Sequence, residues 1–230
     1  KTDDGYPVEV TDTYLPHYTK NAIGRKQNML NDHNFGDRNH RWMIGVSCMS
    51  GCPVGCKFCA TGQLKRWRNL TAEEIVDQIE FVLSKNLDFD PAQASEFKIN
   101  YTRMGEPFLN LAEVRRAIEI IDSRYEGVHH YVSTIGLSGA DFSWVKDNIT
   151  LQLSLHSLDE ERRRDLIPIK RLMTIEELGQ VRTTSNLKTT VNMTLVDYAD
   201  FDGEKLQKNF DPKSFFIKLS PINVNSVSES

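Results

Sequence analysis

All four cysteines of the chain fall within twelve residues: Cys48, Cys52, Cys56 and Cys59, in the stretch Ser47-Cys-Met-Ser-Gly-Cys-Pro-Val-Gly-Cys-Lys-Phe-Cys59. The last three read Cys-x3-Cys-x2-Cys, with the aromatic Phe58 just before the final one. Three thiolates on one short loop suffice to hold three irons of a four-iron, four-sulfur cluster, [4Fe-4S], and they leave the fourth iron without a protein ligand and open to chemistry. Two other arrangements use the same residues. All four cysteines could wrap a structural zinc, although zinc ribbons bring their ligands as two separated pairs rather than one crowded run. Alternatively Cys48 is the fourth ligand of a closed electron-transfer cluster. Disulfides fit worst, because cysteines this close cannot tie distant segments and a chain of this length buries a core without them.

Further polar groups stand where a ligand could meet them. In Thr102-Arg-Met-Gly-Glu-Pro-Phe-Leu-Asn110, Gly105 lets backbone approach a ligand closely and Glu106 offers a carboxylate to an ammonium group. Ser133-Thr-Ile-Gly136 adds hydroxyls, and Ser154-Leu-His-Ser157 adds a hydroxyl and an imidazole. Serine and threonine at such places also serve as helix caps. Basic groups cluster at Lys65-Arg-Trp-Arg68, Arg162-Arg-Arg164 and Lys170-Arg171, and Trp67 would suit base stacking. Charge runs are more often solvated faces. His129 and His130 lie inside a strand pattern and read as packed or surface residues. The sequence has no phosphate-binding glycine loop and no nucleophile triad.

These groups need a scaffold, and the pattern of the chain supplies one. At 230 residues and 39% hydrophobic content, one sizeable domain is expected. Apolar runs recur at Trp42–Val46, Phe97–Tyr101, Val128–Val132, Leu151–Leu155, Thr190–Val196 and Phe215–Leu219. Helices alternate with them. Thr71-Ala-Glu-Glu74 is a capping box opening Glu73–Ser84, Asn110 caps Leu111–Ser123, Thr174-Ile-Glu-Glu177 opens another helix, and shorter helices are predicted at Asp141–Lys146 and Gly203–Asn209. Parallel strands need crossovers, so this alternation predicts an α/β fold with a parallel sheet, a partial (β/α)6 barrel too short for eight units. Functional residues of such sheets gather at the carboxyl ends of strands, and the cysteine loop follows the first strand. Residues 1–40 read as a short N-terminal extension with β-like pieces such as Val8–Val10, residues 41–223 as the barrel and 224–230 as a tail. The chain opens on Lys1 and stops at Ser230 without a terminal element, as a piece of a longer product would. A net charge of −4 argues against a general electrostatic grip on nucleic acid. No apolar run reaches membrane-spanning length, and reduced thiolates suit a cytoplasmic setting.

The cysteine loop closely resembles that of the radical S-adenosylmethionine enzymes. The blocks Met104-Gly-Glu-Pro-Phe-Leu-Asn-Leu111, Val132-Ser-Thr-Ile-Gly136, Leu153-Ser-Leu-His-Ser157, Leu166-Ile-Pro-Ile-Lys170 and Leu219-Ser-Pro-Ile-Asn223 occur in the order found in the RNA adenine methyltransferase branch of that family. The resemblance implies that Cys52, Cys56 and Cys59 ligate the cluster. It implies that Gly105 and Glu106 hold the amino group of S-adenosyl-L-methionine, and that Ser133, Ser154, Leu155, His156 and Asn223 line the rest of its pocket. It also implies the chemistry: a reductant such as flavodoxin or ferredoxin feeds the cluster, the sulfonium is cleaved, and a 5′-deoxyadenosyl radical abstracts hydrogen from a substrate. The sequence departs from the branch in three places. The branch uses two further cysteines for methyl transfer; Gly45 stands at the first position, and the chain ends before the second. Cys48 is three residues further along, where strand alternation turns it to the opposite side. Arg103 replaces a small residue, and its guanidinium could grip a carboxylate or phosphate of the substrate, or simply lie at the surface. The expected activity is therefore a radical reaction on an unidentified substrate. RNA adenine methylation, with the missing cysteine on a tail beyond the sequence and RNA as partner, is one alternative, and a noncatalytic zinc or iron-sulfur protein is the other.

Overall fold

The computed structural model of the chain describes residues 1–14, 18–20, 26–28, 37–195 and 201–221. Three short strands come first: β1 (Thr11–Tyr14), then β2 (Tyr18–Lys20) paired with β3 (Lys26–Asn28). The regular part opens with β4 (Arg41–Val46), and β5 (Met49–Ser50) pairs with β6 (Arg68–Asn69) across the base of the cysteine loop. After it come α1 (Ala72–Ser84), β7 (Glu96–Tyr101), α2 (Leu111–Arg124), β8 (Val128–Thr134), β9 (Ile149–Ser154), α3 (Glu160–Leu166), α4 (Ile175–Gly179), β10 (Thr189–Leu195), α5 (Gly203–Asn209) and β11 (Phe215–Pro221).

Strands β4, β7, β8, β9, β10 and β11 lie side by side in chain order, each parallel to the next. This is the expected open (β/α)6 arrangement. Its physical basis is alternation: Trp42, Ile44 and Val46 on β4, Phe97, Ile99 and Tyr101 on β7, and Leu151 and Leu153 on β9 put large side chains on one face, nearly all with no exposed surface. That face packs on α1 and α2 in one continuous core. The other face carries half-buried polar residues, among them Lys98, Asn100, Gln152 and Asn192.

The structure corrects the sequence reading in four respects. The sheet has a seventh strand, because β1 pairs antiparallel with β4; the strand is Thr11–Tyr14 rather than Val8–Val10. Asp141–Lys146 forms turns, held by the Ser143 N–H donating to Asp141 Oδ1, so β8 returns to β9 without a helix. The segment around Asp159–Leu166, read only as a basic cluster, is helix α3, capped by Asp159. Asn110 precedes α2 without capping it through its side chain. The capping boxes at Thr71 and Thr174 form as expected. Val196, at the end of an expected strand, lies outside the described residues. Among the described residues no helix is long and apolar enough to cross a membrane.

Candidate active site

The cysteine loop is pinned at both ends by side chains of the helices behind it. Gln78 of α1 accepts the Ser47 N–H at 2.9 Å and donates to the Ser47 carbonyl at 3.0 Å. Asn110, spared from capping, donates through Nδ2 to the carbonyls of Cys48 and Leu70, each at 2.8 Å, and so ties the entrance of the loop to its exit. Cys48 is buried in the main core, with its thiol 3.5 Å from the Met104 carbonyl, and does not line the cleft. Cys52, Cys56 and Cys59 do, together with Val54, Phe58 and Thr61. Burial pushes the Cys52 thiol up to about 11, and burial followed by the charges of Cys59 and Cys52 raises Cys56 still further.

The opposite wall of this cleft, of about 200 Å3, comes from the carboxyl ends of β7, β8 and β9. After β7, Gly105 adopts a φ of +101° and lies so close to Met49 that a Cβ would meet its side chain at 2.5 Å; the turn into Glu106 therefore requires glycine. Glu106 is 4% exposed. Its Oε1 accepts the Phe108 N–H and its Oε2 the Ile135 N–H, both at 3.0 Å, while burial pushes its pKa up to about 6. The Thr134 hydroxyl also bonds this carboxylate, and the oxygen left with a single donor keeps a lone pair for a cationic ligand. Near the end of β8, the Ser133 hydroxyl donates to Gln152 Oε1 at 2.9 Å. After β9, Ser154 and His156 line the cleft, and His156 takes the left-handed φ of +64° that few residues other than glycine adopt. Its Nδ1 accepts the Thr194 N–H at 3.4 Å, so the proton sits on Nε2. Burial, then the charge of Arg163, pushes its pKa down to about 4, and Phe58 meets the ring edge-on at 4.7 Å.

Leu155 is the exception among the expected pocket residues within the described range. Its side chain is fully buried in the core and its N–H is bonded to the Asn192 carbonyl, so it does not line the cleft. Asn223 lies outside the described residues. Sequence reading missed Thr102 and Ile135, which line the cleft between the expected positions, while Thr134 lines it as the run of hydroxyls after Val132 suggests; they share strand ends with Arg103 and Ser133, which is the available signal.

Arg103 reaches the cleft, its side chain 36% exposed and its Nη1 3.5 Å from Glu9 Oε1. Beside it stands Gly45, where an added Cβ would lie 2.5 Å from Thr11 Oγ1 and 3.1 Å from Arg103 Nε. Elsewhere the basic clusters dissolve into separate roles. Arg68 is paired with Glu74 at 2.6 Å and Asp4 at 2.8 Å, Arg162 lies 3.6 Å from Asp165, and Arg163 is entirely buried rather than exposed. Trp67 remains 51% exposed. A wider hollow of about 560 Å3 between Ala140 and Arg182 holds no cysteine and no buried acid.

Three soft sulfur donors on one cleft fit an iron-sulfur cluster. The raised pKa values of Cys52 and Cys56 mark thiols that ionise when a cation compensates them. Among the described residues no group of three His, Cys, Asp or Glu side chains is placed to hold a single metal ion. Comparison with known proteins agrees. The model of the radical SAM superfamily matches residues 46–198. The chain is 34% identical over 191 residues to the probable dual-specificity RNA methyltransferase RlmN of Pseudothermotoga lettingae, covering 77% of this chain and 54% of that protein. It is 33% identical over 196 residues to the protein of the same name from Pelodictyon phaeoclathratiforme, covering 79% and 54%. The chain thus spans about half the length of these curated relatives. The crystal structure of a radical SAM methyltransferase from Sphaerobacter thermophilus superposes with a TM-score of 0.61 at 26% identity, covering 97% of this chain and 65% of that one. With the cysteine loop after the first strand of a parallel sheet and the family match across its core, the chain belongs to the radical SAM superfamily.

Proposed function

We propose that this protein cleaves S-adenosylmethionine reductively and that the radical so formed takes hydrogen directly from an anionic substrate, without methyl transfer through cysteine. When bound, a [4Fe-4S] cluster and S-adenosylmethionine supply the electron transfer into the sulfonium and the 5′-deoxyadenosyl radical. Cys52, Cys56 and Cys59 would hold the cluster, and a small redox protein of the flavodoxin or ferredoxin kind would reduce it. Glu106, fixed by two backbone N–H groups, would accept from the cofactor's ammonium group, and the neutral His156 would donate from Nε2. Ser133 and Ser154 would complete that pocket, and Arg103 at the cleft would bind the substrate's carboxylate or phosphate.

The observation that carries this reading is the space at position 45. The resemblance places a methyl-transfer cysteine there, but Thr11 Oγ1 and Arg103 Nε already occupy the volume a Cβ would need. The test uses cofactor with a deuterated methyl group, incubated anaerobically with reduced protein and with RNA. The expected result is unlabelled 5′-deoxyadenosine and unlabelled adenine, with all label retained in methionine or the cofactor. Label in both 5′-deoxyadenosine and a methylated adenine would overturn the reading in favour of RNA methylation. That second reading is favoured by the RNA methyltransferase names of the relatives and by exposed Trp67 beside Lys65 and Arg66.

A further inference from the structure

Arg163 lies on α3 with no exposed surface. Its Nε donates to the Leu155 carbonyl at 3.2 Å, Nη1 to the Met173 carbonyl at 2.5 Å and Nη2 to the Ile135 carbonyl at 2.6 Å. These acceptors follow β9, precede α4 and follow β8, so one guanidinium gathers three separate loops at the carboxyl end of the sheet. Each guanidinium nitrogen thus has one carbonyl partner, but none of the three brings a compensating charge. A buried unpaired cation is costly, by several kcal/mol in general. Among the described residues no carboxylate comes within ion-pair distance; Glu160, one turn earlier, attracts it from further away and accepts instead from the Ile175 N–H at 2.5 Å.

After Glu160, the negative group that acts on Arg163 is Cys56 of the cleft. Ile135 donates its N–H to Glu106 Oε2 while its carbonyl accepts from Arg163, so a single residue separates the guanidinium from the buried carboxylate. On the same helix, Leu166 accepts the Lys57 N–H of the cysteine loop at 3.0 Å. Leu166, Ile135 and Val54 form one apolar cluster against which Cys52 and Cys56 pack. The cation therefore stands directly behind the thiol wall, in a region of low dielectric where a fixed charge acts strongly.

We propose that Arg163 is the charge-balancing residue of this site: its buried guanidinium offsets the negative charge of a cluster ligated by Cys52, Cys56 and Cys59 and thereby favours the cluster's reduced form. The inference rests on the cluster assignment made under the proposed function. A three-thiolate, four-iron cluster is anionic and gains a further negative charge on reduction, so a fixed positive charge shifts the equilibrium toward the reduced form. Neither the cofactor nor the substrate is involved in this effect.

The experiment is a redox titration of the anaerobically reconstituted protein, followed by the paramagnetic signal of the reduced cluster, for the parent and for Arg163→Met, Arg163→Gln and Arg163→Lys, with iron content measured for each. The parent must first bind about four irons and show a reducible cluster; if it does not, the proposed function fails and not this inference. Both neutral variants are expected to lower the reduced-to-oxidised ratio at fixed potential at least tenfold, equivalent to about 59 mV for one electron. The lysine variant should stay within threefold of the parent. An unchanged ratio in an iron-replete neutral variant, or a lysine variant shifted as far as the neutral ones, would overturn the proposal. If the neutral variants lose iron while the lysine variant keeps it, the charge requirement stands; loss of iron in all three would show that Arg163 is only a brace between loops.

Discussion

Replacing Gly45 by alanine puts a methyl group 2.5 Å from Thr11 Oγ1 and 3.1 Å from Arg103 Nε, where ordinary contacts begin near 3.4 Å. Thr11 is the direct antiparallel partner of Gly45, so its backbone is held by the pairing of β1 with β4 and its hydroxyl gives way only by leaving its present rotamer. Overpacking of this kind costs about 1–3 kcal/mol. For a chain of this size that corresponds to a fall of roughly 2–12 °C in Tm. Thr11→Ala removes the offending oxygen, so the double variant should recover much of the loss, with a coupling of about 0.5–3 kcal/mol in a double-mutant cycle. Gly45→Cys adds a sulfur to the same position; it should be at least as destabilising and should not confer methyl transfer. The measurement is urea unfolding of all four members of the cycle. If Gly45→Ala is as stable as the parent, or if the two changes are simply additive, the space at position 45 is not filled as described and the main support for direct hydrogen abstraction is lost.

Alanine at Cys52, Cys56 or Cys59 should each abolish a cluster of about four irons in reconstituted protein, whereas Cys48→Ala should retain it; iron loss in the Cys48 variant would point to a closed four-cysteine site. Glu106→Ala should weaken S-adenosylmethionine binding by about 10- to 150-fold, the range of a hydrogen bond to a charged group, with iron content unchanged. Calorimetric titration giving the parent's affinity in that variant would remove Glu106 from the pocket. Arg103→Ala should raise KM for an anionic substrate by about tenfold while leaving 5′-deoxyadenosine formation without substrate untouched; a loss confined to cofactor cleavage would reassign Arg103.

The parallel strands were legible because their signal is local. Each core strand alternates bulky apolar side chains, and each capping box announces the helix that follows. What escaped reading depended on partners distant in the chain. Asn110 has the right identity and place for a cap, but its amide serves two carbonyls of the cysteine loop, 40 and 62 residues away. Arg163 sits between two arginines that sequence alone treats alike, yet α3 turns it inward beside Leu166 while Arg162 stays half-buried and Arg164 exposed. Asp159 followed by Glu160 and Glu161 is a helix start that could have exposed this phase. Asp141–Lys146 failed as a helix because Asp141 bonds the Ser143 N–H and Phe142 and Val145 turn into the core without a full helical turn. At the site, residue types at strand ends gave the cleft, but not which neighbours point away, as Leu155 does.

The N-terminal segment joins fold and chemistry in a way neither shows separately. A parallel sheet beginning at β4 would leave the unpaired backbone groups of that strand as an open edge, a template for association. β1 closes it. The same segment continues over the start of the cysteine loop, where the Ser47 hydroxyl accepts the Glu9 N–H at 3.1 Å and donates to the Glu9 carbonyl at 2.7 Å, and the Ser50 hydroxyl donates to the Pro7 carbonyl at 2.7 Å. That path fixes two further atoms. It sets Glu9 beside Arg103, and it sets Thr11 against Gly45. The device that protects the sheet edge therefore also fills the space a side chain at position 45 would need and supplies the acid nearest the arginine at the cleft. On the proposed reading, Thr11 of the edge strand stands where a side chain at position 45 would begin, so the edge strand and Gly45 act together against methyl transfer.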